Sequence, residues 1–135
     1  MGSDIHLHFE KKNDQGKWEM IEVPYCLLPK DRDYSVFYFL AGVRYASDCV
    51  CEPQFPLRGL PEDSCALSND DFFSDHSTTY AYIDEILHAP WEKVGLHCRY
   101  FYVFCEYVLP RLINEWGYWG ALDKREVRVI MGFDS

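Results

Sequence analysis

Asp4, His6, His8 and Glu10 alternate with Ile5, Leu7 and Phe9 at the start of the chain. Successive side chains of an extended strand point to opposite faces, so this spacing puts two carboxylates and two imidazoles on one side. Those groups on one face could hold a metal ion or move protons. Ligands two residues apart on a strand have side-chain roots about 6 to 7 Å apart, so Asp4 and His6 can share an ion if a third group arrives from elsewhere. His76 is the candidate third ligand. It ends an acidic loop beside Asp75, and Asp75 and Glu10 can orient the site or add a further ligand. Imidazole is a borderline-soft donor, which favours zinc over the oxygen-seeking magnesium. The competing reading makes His6 and His76 ordinary hydrogen-bonded histidines and Asp4 a sheet-edge residue.

The elements that must position these residues follow from periodicity and turn chemistry. Lys11 to Gly16 carries the Asn, Asp and Gly of a tight turn, so residues 17–23 return as the second strand of a hairpin. Asp33 can cap a helix through Val36, Phe37, Leu40 and Val43. Residues 45–76 read as a long ordered loop, because its Phe and Leu side chains are costly to leave in water. A short extended piece at Thr78–Ala81 precedes a helix at Ile83–His88. A longer, ring-rich helix spans about Val94 to Trp116, bent or split at Pro110. Val127, Val129 and Met131 alternate with Arg128 and Ile130 in a closing strand. The expected fold is one α+β domain over residues 1–135, with the amino-terminal hairpin and carboxy-terminal strand in one antiparallel sheet packed with helices.

Composition narrows the function classes. The net charge of −9 over 135 residues argues against direct nucleic-acid binding, which needs clustered Lys and Arg, and suits a basic protein surface as partner. The start lacks a signal-peptide core and no apolar run reaches about 18 residues, so the expectation is a protein of the cytoplasm with reduced cysteines. Cys98 and Cys105 fit a helical core. Cys49 and Cys51, with Cys65 further on, can ligate zinc, although a CxC pair is a weaker signal than paired CxxC motifs. No GxGxxG, Walker loop, HExxH or Ser-centred nucleophile elbow occurs.

The opening MGSDIHLHFE, then GKWE, DYSVFYFLAGVR, RGLPED, DHS at 75–77, the IDEIL segment and the terminal VRVIMGFDS resemble a family of small phage and prophage proteins that begin MGCDIH and end Phe-Asp-Asn. Ser3 replaces the family's cysteine, Ser135 its final Asn, and His8 stands where the family accepts a tyrosine or an apolar residue. The resemblance implies a phage origin and the cytoplasm of a bacterial host, and carries no established general activity. It demotes His8 as a ligand. By class-level analogy, phage accessory genes often encode small proteins that disable bacterial defence. Two functions are therefore open to the chain, beside the remaining reading of a structural or replication-related phage protein with no metal. One is a zinc-binding inhibitor that binds a host defence nuclease, such as a CRISPR effector, through its acidic surface. The alternative is a metal-dependent hydrolase in which Asp4, His6 and His76 hold the ion, Glu10 is the base and Arg58 or Arg44 binds an anionic substrate.

Overall fold

The computed structural model describes residues 2–44, 52–56, 58–68 and 74–134. Strand β1 (Ile5–Lys12) turns through Asn13, whose side-chain oxygen accepts hydrogen bonds from the Gln15 and Lys17 amides. Gly16 completes the turn at φ 77°, a conformation that costs other residues about 1 kcal/mol or more. Strand β2 (Trp18–Met20) then pairs with only the end of β1, from Glu10 opposite Met20 to Lys12 opposite Trp18.

The carboxy-terminal strand, β4 (Val127–Phe133), lies antiparallel against nearly all of β1, from Ile5 opposite Phe133 to Lys11 opposite Val127. The expected extended piece is longer than Thr78–Ala81. As β3 (His76–Tyr82) it joins the other side of β4, giving a four-stranded antiparallel sheet in the order β2-β1-β4-β3. The fold is α+β, as the periodicity predicts.

One face of this sheet, bearing Ile5, Phe9, Ala81, Val129, Met131 and Phe133, packs into the main core. Helix α1 (Tyr34–Ala41) starts where Asp33 accepts the Ser35 amide and stops at Gly42 in the left-handed conformation. It buries Phe37, Phe39 and Leu40 completely, each contributing about 2 to 3 kcal/mol of transfer free energy. Helix α2 (Ile83–His88) follows β3 directly.

The expected long helix is shorter and in three parts: α3 (Tyr100–Val103), a π-turn over Phe104–Val108, and α4 (Leu109–Ile113). Pro110 has no amide hydrogen, and its ring crowds the carbonyl of Glu106. The wider turn accommodates both without breaking the run. Cys98 and Cys105 are buried in this core, and neither they nor Cys26 and Cys65 are in a disulfide. No helix among the described residues is long and apolar enough to cross a membrane.

The second sheet face is the one that positions the site. His6 and Lys12, at the two ends of its row of even-numbered β1 residues, keep solvent contact. The middle of the row does not face open solvent: His8 and Glu10 are buried, as is Arg128 opposite Glu10 on β4. The segment of residues 61–68 closes over them. Its Asp63, Ser64 and Cys65 bond directly to the sheet's polar side chains.

Candidate metal centre

Glu10 has no exposed side-chain surface and sits at the middle of the second face. Its Oε1 accepts a hydrogen bond from Arg128 Nε at 2.6 Å. Its Oε2 lies 2.9 Å from His8 Nε2, and accepts from Ser64 Oγ at 3.1 Å, the Cys65 amide at 3.2 Å and the Cys65 thiol at 3.1 Å. Burial pushes the Glu10 carboxyl up, but hydrogen bonds from His8, Cys65 and Arg128, and the Arg128 charge, outweigh it and hold it at about 2. Glu10 is therefore a carboxylate at every physiological pH.

Arg128 is balanced on its far side. Its Nη2 donates to Asp63 Oδ1 at 2.8 Å, and its guanidinium stacks on the Trp18 ring at 3.7 Å. Trp18 Nε1 in turn donates to Asp63 Oδ2 at 3.1 Å. This arrangement is why a cation can sit inside the fold: a buried guanidinium is tolerated only when its charge and donors are matched.

Cys65 completes the set. Its Sγ is 3.4 Å from His8 Nε2, so one imidazole nitrogen, one carboxylate oxygen and one sulfur form a triangle with edges of 2.9, 3.1 and 3.4 Å. In a tetrahedral zinc site the corresponding donors stand about 3.3 to 3.6 Å apart, given bonds of about 2.0 Å to N or O and about 2.3 Å to S. A tetrahedral ion would need the two edges at Glu10 to open by a few tenths of an ångström and the His8–Cys65 edge by about a tenth.

The same atoms do not make a cysteine nucleophile. In a catalytic relay the base contacts the thiol through one ring nitrogen while its orienting carboxylate binds the other. Here His8 Nε2 meets both. Burial and the Glu10 carboxylate also push the Cys65 thiol up to about 12, opposite to the depressed value that an activated thiolate needs. Convergence of His8, Glu10 and Cys65 on one point makes them a candidate set of ion ligands. A second set, Asp33, His97 and Cys98, is less suited to it because Asp33 already caps α1.

The residues expected to hold the ion lie elsewhere. Asp4 pairs with Arg32 at 2.8 Å, and His6 with Asp134 at 2.7 Å. His76 is opposite Phe133, which is opposite Ile5, so its side chain belongs to the face away from His6, where it stacks on Phe133. Asp4, His6 and His76 therefore form no three-ligand set, and Asp75 stands exposed at the sheet end.

Glu10, expected as a supporting or further ligand or as a general base, is central, and His8, demoted by the resemblance, lies against it. Cys65 belongs to this set, whereas Cys49 and Cys51 fall outside the described residues. One signal in the sequence did point here. Arg128 interrupts an apolar closing strand, and a cation placed there requires a buried carboxylate, which Glu10 supplies across the sheet. No protein-family model, curated protein or solved structure matches this chain.

Proposed function

We propose that this chain is a zinc-binding protein that acts by binding another protein, with His8, Glu10 and Cys65 as the zinc ligands. The observation that carries the reading is the convergence of an imidazole nitrogen, a permanently ionised carboxylate and a thiol on one point. The donor set suits a borderline-soft divalent ion and disfavours magnesium or calcium, which take oxygen ligands.

Charge supports the same ion. Two positive charges are balanced by the Glu10 carboxylate and the Cys65 thiolate that forms on binding, while Arg128 remains balanced by Asp63. Zinc at this position ties the 61–68 segment to β1 and so has a structural role.

The acidic surface, at net charge −9, supports a partner with a basic face, which is the surface a nucleic-acid-handling protein presents. A bacterial defence nuclease is the partner class proposed. The hydrolase alternative is less well supported. Glu10 at about 2 is a poor general base, Arg58 is held by both oxygens of Glu85, and Arg44 donates to Ser3 and lies over the Tyr34 ring.

Two measurements test the reading. Elemental analysis of untagged protein should find about one zinc per chain after equilibration with zinc and gel filtration, and none in Cys65→Ser. Affinity capture from bacterial lysate should recover a protein that handles nucleic acid. Recovery of none, with the fold intact, contradicts the partner class.

A further inference from the structure

The β1 backbone is left half-paired. Asp134 N donates to Asp4 O on the β4 side, and Ile21 N donates to Phe9 O on the β2 side. Even-numbered β1 residues therefore direct their amide and carbonyl groups to β4, and odd-numbered ones to the opposite edge. Pairing with β2 covers residues 10–12, and the chain diverges after Ile21 through Val23 and Pro24. Among the described residues the Leu7 N–H and C=O, on that edge, have no hydrogen-bond partner.

A groove of about 490 Å³ runs beside these groups, lined mainly by Leu7, Phe9, Ile21, Val23, Leu28 and Leu112. Natural sheets rarely leave such an edge open without a charge, bulge or covering segment. Among the described residues lining the groove, Glu22 is the only acidic one, and the buried His8 is the only other ionisable one. Glu22 is exposed, and among the described residues it has no ion-pair partner.

We propose that this edge binds an extended, basic segment of a partner protein as an added strand, antiparallel or parallel to β1. The segment's backbone pairs with Leu7. A side chain opposite Leu7 points to the same face and enters the groove against Leu28 and Leu112, and a lysine or arginine beside it meets Glu22. Backbone pairing specifies an extended chain, the apolar lining selects an aliphatic anchor, and Glu22 selects the sign of the flanking charge. The inference rests on the reading of this chain as a binding protein and is independent of the metal.

The test is a titration of metal-free protein with the peptide acetyl-Lys-Thr-Leu-Thr-Lys-amide, followed by amide NMR. The expected result is a saturable shift of the Leu7 amide and its slowed exchange. N-methylation of the peptide's central amide should weaken binding about tenfold through loss of one backbone hydrogen bond. Glu replacing both lysines should weaken it about two- to fivefold, and Glu22→Lys should reverse that preference. Leu112→Glu should abolish binding while leaving the amide spectrum of the sheet dispersed.

A Leu7 amide unmoved by millimolar peptide overturns the proposal, as does binding indifferent to N-methylation. A Leu7 shift that depends on protein concentration without peptide also overturns it, and assigns the edge to a second copy of the chain. Capture of the lysate partner by Leu112→Glu at wild-type yield removes the edge as docking site while leaving the binding-protein reading in place.

Discussion

Replacing Glu10 by Gln tests how the second sheet face is held together. The substitution keeps the side chain's shape but leaves the buried Arg128 guanidinium facing a neutral amide, and it replaces one of the two acceptor oxygens by an NH2, so either Arg128 or the Ser64 and Cys65 donors lose their acceptor. A carboxyl moved from 4.5 to about 2 carries roughly 3 kcal/mol of folding free energy at neutral pH. Breaking one side of a buried ion pair costs about 3 to 5 kcal/mol in other proteins. The two figures agree, and the expected loss is about 3 kcal/mol. Because the folded carboxyl is depressed, its contribution is complete above 4.5 and disappears as pH falls through about 2. Urea unfolding of metal-free protein at a series of pH values should therefore show the wild-type advantage over Glu10→Gln at pH 7, shrinking between about pH 4.5 and 2. A deficit under about 1 kcal/mol at pH 7, or a difference that does not change with pH in that window, refutes the account of Glu10 as the charged centre of this face.

Two further outcomes follow from the same contacts. Zinc must displace the Cys65 proton, held by a thiol raised to about 12, so calorimetry in buffers of different ionisation enthalpy should report about one proton released from Cys65, a release that Cys65→Ser removes; zinc affinity should tighten about tenfold per pH unit near neutrality. A Cβ on Gly132 would lie 2.3 Å from the Ser74 Cβ and 3.1 Å from its Cα, so Gly132→Ala should cost about 1 to 3 kcal/mol in thermal or urea unfolding; a neutral substitution would show that residue 74 does not pack against β4.

The hairpin and the closing strand were legible because their alternation is local: Ile5, Leu7 and Phe9 against His6 and His8, and Val127 and Val129 against Arg128. The shared face of Asp4, His6, His8 and Glu10 was legible for the same reason. That its His8 and Glu10 are buried was not, since this depends on a segment some 55 residues away that returns to lay Ser64 and Cys65 on Glu10. His76 illustrates the limit of spacing arguments. Its neighbour Asp75 and its place after an acidic loop suggested a ligand, but strand register with Phe133 decided its face, and register between β3 and β4 is a long-range property. Cys65 was read as a zinc ligand only in company with Cys49 and Cys51, because its partners His8 and Glu10 lie on a different element. Pro110 did announce a disturbance in the long helix, although the form it takes, a π-turn that keeps the run continuous, depends on packing around Phe104 and Cys105.

Cobalt substitution tests the central claim most directly, because cobalt bound to a thiolate absorbs in the near ultraviolet and its visible bands report coordination geometry. Metal-free protein titrated with cobalt should develop both signals, saturating at about one ion per chain with a tetrahedral band pattern. Both signals should be lost in Cys65→Ser, both should weaken strongly in His8→Ala, and both should persist in His6→Ala and His76→Ala. Cobalt binding that survives without a thiolate band in the wild type, or that is lost in His6→Ala and His76→Ala while Cys65→Ser retains it, would contradict a metal centre built from His8, Glu10 and Cys65.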